Sequence, residues 1–149
     1  MITAEIKKYV DKSVLCWLAT SSLDNIPNVS PKEVFTYYGN TNIIIANIAS
    51  PQTVKNIKEN NNICVSFIDV FIQKGFQLKG VANIVGKDDT DYDTIQAPLL
   101  QITGGKFPFA TITNIVVKEV KRILAPKYIL YPETTEEQQI QSALKQYKT

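Results

Sequence analysis

The chain has 149 residues, of which 44% are hydrophobic and 20% charged, and it carries a formal net charge of +2. That length fits one domain, residues 1–149, with enough material for a sizeable core, and so small a charge argues against a nucleic-acid partner or an anionic membrane surface. There is no histidine, and arginine occurs once, at Arg122; this excludes Ser-His-Asp and Cys-His catalysis and histidine metal sites, and it leaves any phosphate site to Lys, Ser, Thr and backbone N–H groups.

The N-terminal residues alternate polar and apolar without a signal-peptide core, and no apolar run reaches the length of a membrane span. A cytoplasmic protein is expected. Thr3 to Lys12 predict a short helix with Ile6 and Tyr9–Val10 at helical spacing. "SVLCWLATS" (Ser13–Ser21) predicts a buried strand and "SLDNIP" a turn. "NVSPKEVFTYYG" alternates in part, and its proline predicts an edge or a bulge. "GNTN" (Gly39–Asn42) predicts a hairpin turn into the central strand "IIIANI".

Ser50 then stands as an N-cap before Pro51 at the first helical position, with Val54 and Ile57 on one face. Two readings stay open for this helix start. Ser50 and Thr53 are a plain cap and its neighbour, or their hydroxyls and the free helix N–H groups hold a phosphate, with Lys32 or Lys55 adding charge. "ICVSFID" and "GFQLKGVANIVG" predict two strands, and "DDTDYDTIQAPLLQIT" a helix with an acidic start. The aspartates Asp89, Asp91 and Asp93 have calcium-loop spacing, but the glycine and the twelfth-position carboxylate are missing, so no metal is expected. "TGGKFP" lacks the helix and Ser/Thr that a phosphate loop needs and predicts a flexible loop near a site. "FATITNIVVKEVKRI" predicts a long strand with Ile112, Val116, Val120 and Arg122 on one side. Thr135 to Lys148 predict a charged helix with a thin stripe of Ile140, Leu144 and Tyr147, within a C-terminal extension of about residues 127–149. Cys16 and Cys64 are expected to be buried free thiols, and Trp17 and Tyr37–Tyr38 to serve core and edge packing. Short connections favour antiparallel pairing and a small barrel.

The order of these motifs resembles the pyridoxamine 5'-phosphate oxidase-like, FMN-binding split-barrel family. The resemblance runs from roughly Val14 to Val85 and continues through the strand at Ala110–Ile123. It rests on a combination: a "LAT" strand, a "P-x-x-S-P-K" strand, "S-P-x-T-x-x-N-I-x-x-N" after a strand with a small residue at its end, and a "Q-L-K-G-x-A" strand. The resemblance implies a mainly β fold, a six-stranded antiparallel split barrel with a few flanking helices. It also implies a homodimer with FMN at the subunit interface. Carried over by position, Ser30, Pro31 and Lys32 would lie along the flavin and its ribityl chain, Ala46 and Asn47 beside the ring, and Ser50 and Thr53 at the phosphate. The segment from Lys74 to Gln77 would approach the cofactor, and the Gly104–Phe109 loop would come from the partner.

The family often has Arg or Lys directly after the helix-start serine, where this chain has Pro51 and Gln52. The substrate residues of true pyridoxamine-phosphate oxidases, an Arg-x-His stretch and a C-terminal Trp, are absent, so pyridoxal phosphate synthesis is not expected. The function implied is that of a flavin-dependent oxidoreductase of unspecified substrate. The alternative is a non-catalytic flavin-binding or stress-related module, and a deazaflavin or haem ligand ranks behind both.

Overall fold

The computed structural model describes residues 1–148; Thr149, the last residue of the expected domain and extension, lies outside the described residues. Five helices and seven strands follow in the order α1 (Ala4–Lys12), β1 (Cys16–Ser21), β2 (Pro27–Lys32), β3 (Phe35–Tyr38), β4 (Asn42–Ala46), α2 (Pro51–Glu59), β5 (Asn62–Asp69), β6 (Lys74–Gly86), α3 (Tyr92–Thr103), β7 (Thr111–Leu124), α4 (Pro126–Leu130) and α5 (Glu136–Tyr147). The strands form one antiparallel sheet in the order β2-β1-β5-β6-β7-β4-β3.

This order puts β2 and β3 at opposite edges, yet only Glu33 and Val34 separate them in the chain. A flat sheet would hold those edges apart by six strand spacings, about 29 Å. Two linking residues reach about 10 Å at most. The sheet must therefore curl until its edges meet, which is the split-barrel geometry expected from the sequence. The strand expected across Asn28–Gly39 is thus two strands, and the sheet has seven rather than six. The proline-bearing half, β2, is an edge strand as expected.

The core has two parts. Inside the curl, Leu18, Ile43, Ile45, Val65, Leu78 and Ile115 pack with Ile6, Tyr9 and Val10 of α1. Thr3 caps that helix by accepting from the Ile6 N–H at 3.2 Å. Outside it, Ile95 and Leu99 of α3 cover Ile44, Ala46, Val85 and Ile112. Strand β7 reaches both parts by alternation, Ile112 facing the outer one and Ile115 and Val117 the inner one, and beyond Val117 it is bulged. Its register against β6 shifts between Gly80, opposite Val117, and Lys79, opposite Glu119. Directly opposed residues share a face, so Val120 and Arg122 share the face of Val117, not that of Ile112 and Val116. The guanidinium of Arg122 accordingly sits 5.0 Å over the Phe76 ring. The single-sided alternation expected for this strand failed because the sequence pattern does not show the bulge.

Three packing expectations are corrected. Trp17 is 48% exposed on the outer face of β1 rather than core. Cys16 is buried, but Cys64 is only half-buried. Helix α5, capped by a Thr135–Gln138 capping box, turns Gln139 and Ala143 inward and leaves Leu144 and Tyr147 exposed; only Ile140 of the expected stripe packs against the core. Among the described residues no helix is long and apolar enough to cross a membrane.

Candidate functional site

The β4–α2 connection is built to aim a helix start. At the end of β4, Asn47 is clamped to β7: its N–H donates to the Thr111 carbonyl at 3.0 Å, its Nδ2 to Thr111 Oγ1 at 3.1 Å, and Thr113 Oγ1 donates to its Oδ1 at 2.7 Å. Ala49 then takes φ 49°, the left-handed region that a residue with a Cβ enters only under constraint. That turn delivers Ser50 and the first turn of α2. The helix body is fixed from behind: Gln52 Nε2 donates to Asn56 Oδ1 at 2.8 Å, and Asn56 Nδ2 donates to Thr20 Oγ1 on β1 at 3.0 Å.

Ser50 occupies the N-cap position, but its hydroxyl does not cap the helix. It donates to the Ile48 carbonyl at 2.9 Å and accepts from Lys32 Nζ at 2.6 Å. The plain-cap reading of the sequence is therefore set aside. Pro51 has no N–H, and the amides of Gln52 and Thr53 have no carbonyl within the helix to bond.

Lys32, the last residue of β2, completes the arrangement. Its ammonium donates to Ser50 Oγ and, at 3.1 Å, to Thr53 Oγ1, which lies 3.4 Å from Ser30 Oγ. Lys32 is 7% exposed and Thr53 2%. No carboxylate pairs with Lys32 among the described residues, and burial holds its pKa below the ordinary lysine value. A buried cation with only neutral partners is costly. Three hydroxyls, a helix N-terminus and an unneutralised ammonium form a donor set suited to an anion of phosphate type. Lys55 is exposed and takes no part in these bonds.

Beside this cluster opens a cleft of about 280 Å³ lined by Pro31, Lys32, Glu33, Val34, Ala46, Ile48 and Phe107. Apart from Lys32 and Glu33 its walls are apolar, as a planar ring requires. Phe107 comes from the α3–β7 loop of the same chain, the loop expected to reach a neighbouring site from the partner.

The structure thus brings together six of the expected residues, Ser30, Pro31, Lys32, Ala46, Ser50 and Thr53. Asn47 is spent on bonding β4 to β7. Lys74 and Gln77 lie elsewhere. Lys74 is paired with Glu136 at 3.0 Å and sits 4.4 Å over the Tyr128 ring. Gln77 continues a cross-strand row that runs Pro31, Trp17, Ser66, Gln77, three strand spacings or about 14 Å from Pro31. Glu33, Val34 and Ile48 were not singled out by sequence, and Phe107 entered only within the Gly104–Phe109 loop. Val34 and Ile48 flank strand ends, where apolar periodicity carries no message about a cleft.

The family model for pyridoxamine 5'-phosphate oxidase matches residues 2–130. A search of curated proteins found no match. Among solved structures, HupZ of Group A Streptococcus is 24% identical and superposes with a TM-score of 0.70, over 82% of this chain and 94% of that one. The heme storage protein HutZ of Vibrio cholerae is 17% identical with a TM-score of 0.67, covering 83% of this chain and 96% of its own. An FMN-binding protein of Syntrophomonas wolfei is 17% identical with a TM-score of 0.65, covering 78% and 82%. At these identities the likeness establishes the shared fold.

Proposed function

The chain belongs to the pyridoxamine 5'-phosphate oxidase family, and on that premise we propose that it is an FMN-binding flavoprotein serving as a flavin-dependent oxidoreductase. The observation that carries this reading is the buried, unneutralised Lys32 held by Ser50 and Thr53 at the start of α2. Lys32, Ser30, Ser50, Thr53 and the Gln52 and Thr53 amides hold the phosphate. Pro31, Val34, Ala46 and Ile48 bound the ring and exclude water from it. When bound, FMN supplies the hydride or electron transfer.

The chain's own residues bind, orient and shield. Two titratable side chains line the cleft, Lys32 and Glu33, and Lys32 is occupied with anion binding. A dedicated acid or base therefore falls to Glu33 or to the substrate itself. The scarcity of such groups is what favours the second reading, a flavin-binding module without turnover.

The proposed assembly is a homodimer. The outer face of the barrel presents Trp17 and Val29 exposed, with Val70 of the β5–β6 turn beside Trp17, and a second copy packed there would cover them and carry Gln77 toward a neighbouring cleft. The test is steady-state oxidation of reduced nicotinamide by the FMN-loaded protein with a panel of acceptors. Flavin-dependent turnover that is lost when FMN is removed supports the oxidoreductase. Bound FMN with no turnover beyond that of free FMN rejects it in favour of the module.

A further inference from the structure

Phe107 is 56% exposed, an unfavourable position for a phenyl ring, yet it forms a wall of the cleft that also holds Lys32. The loop that carries it leaves α3 through Gly104 and Gly105, at φ 60° and 79°, where side chains are strained and glycine is at ease. Chain neighbours aside, no heavy atom of the described residues lies within 4 Å of a Cβ built on either residue. These glycines are therefore required by backbone conformation and not by packing. The loop is tied down at its ends: the N–H groups of Gly104, Gly105 and Lys106 donate to the Leu100 carbonyl at 2.9 Å, Thr103 Oγ1 at 3.1 Å and the Thr103 carbonyl at 3.2 Å, and the Tyr92 hydroxyl donates to the Phe109 carbonyl at 3.4 Å. Between those ties, Phe107 and Pro108 make no hydrogen bond among the described residues. Pro108 cannot donate and restricts Phe107 to extended backbone, so the phenyl is held out from the loop as a short, stiff arm.

We propose that Phe107 is an aromatic gate: with the Gly104–Gly105 turn fixed beneath it, the unbonded Phe107–Pro108 stretch swings the phenyl over the ring of the cofactor held in this cleft and sets which solutes reach it. The inference rests on reading the cleft as the FMN site. Closure would bury the exposed phenyl against a planar ring, a contact that aromatic side chains favour in offset or edge geometry. It would leave the phosphate contacts at Lys32, Ser50 and Thr53 untouched, so losing the phenyl weakens FMN binding only through the ring contact, about two- to tenfold, and the variants are compared at saturating FMN.

Three proteins test it: the FMN-loaded wild type, Phe107→Ala and Phe107→Tyr, each followed by flavin fluorescence with iodide as the quencher. In the alanine variant iodide quenches bound FMN severalfold more strongly, tyrosine restores the wild-type value, and all three retain FMN. Trypsin cleavage after Lys106 in the wild-type chain, read by mass spectrometry, is an independent check, since FMN slows it if the loop closes. Equal quenching in all three proteins with FMN bound, or cleavage indifferent to FMN, overturns the gate and leaves the FMN site standing. A wild-type protein that takes up no FMN overturns both.

Discussion

Replacing Lys32 with Met separates the phosphate from the rest of the ligand. The methionine fills most of the space of the lysine stem but removes the ammonium. In the ligand-free protein the loss is small, because Ser50 Oγ keeps the Ile48 carbonyl and Thr53 Oγ1 keeps Ser30 Oγ as partners. What disappears is a buried charge without a counterion, so the melting temperature of the ligand-free variant equals or exceeds that of the wild type. In the complex the ammonium, with two of its three protons on Ser50 and Thr53, has one left for the phosphate. A hydrogen bond to a charged group contributes about 1.5–3 kcal/mol, which corresponds to a roughly 10- to 150-fold loss of FMN affinity. Riboflavin has the same ring without the phosphate, so its affinity stays within about twofold, since the cleft walls are unchanged. The assay is flavin fluorescence titration of both proteins with both ligands. An equal loss for FMN and riboflavin, or no loss for FMN, refutes the assignment of Lys32 to the phosphate.

Further expectations follow from the same geometry. Thr53→Val removes one buried hydroxyl from the cluster while keeping the shape of the side chain; FMN affinity measured by calorimetry falls about five- to tenfold, on the order of 1 kcal/mol, and a smaller change for FMN than for riboflavin contradicts it. Burial lowers the Lys32 pKa below its ordinary 10.5, so between the lowered value and 10.5 the unfolded chain holds a proton that the ligand-free fold has released. Through that window the Lys32 contribution makes ligand-free stability rise with pH. Over the same window the ratio of FMN to riboflavin affinity declines as the ammonium is lost, and a ratio flat to pH 10.5 speaks against it. Gly80→Ala sets a Cβ 2.2 Å from the Val116 carbonyl oxygen in the bulged β6–β7 pair. It lowers stability by about 1–3 kcal/mol or more, and an unchanged thermal midpoint would sink that account.

How far the fold was legible depended on whether a signal was local. The helices α1 and α2, the hairpin turn before β4 and the proline-marked edge strand β2 each announce themselves within a few residues, and the structure has them. The Asn28–Gly39 stretch did not, because its alternation continues through Glu33–Val34 while the chain crosses from one sheet edge to the other. Only the closure of the sheet, a property of all seven strands, makes that link a corner. The bulge opposite Gly80 was hidden for a related reason: a period-2 pattern reports one face until an extra residue shifts it. In the site, the hydroxyls of Ser50 and Thr53 and the charge of Lys32 were nameable from residue type and order. The way Lys32 folds over the helix start, drawing Ser50 away from its capping role, was not, since it depends on how β2 and α2, 18 to 21 residues apart at these contacts, meet in the closed sheet. Phe107 lay in the loop that the resemblance assigned to a partner's site; that it lines the cleft of its own chain was not legible.

The most direct test of the central claim is the visible absorption spectrum of the purified protein, taken before and after addition of FMN, with the released chromophore identified by chromatography. The account predicts a bound-flavin spectrum and release of FMN as the chromophore. A protein that is colourless as purified and takes up no FMN would contradict it: the Lys32–Ser50–Thr53 cluster would then not be a phosphate site for a flavin.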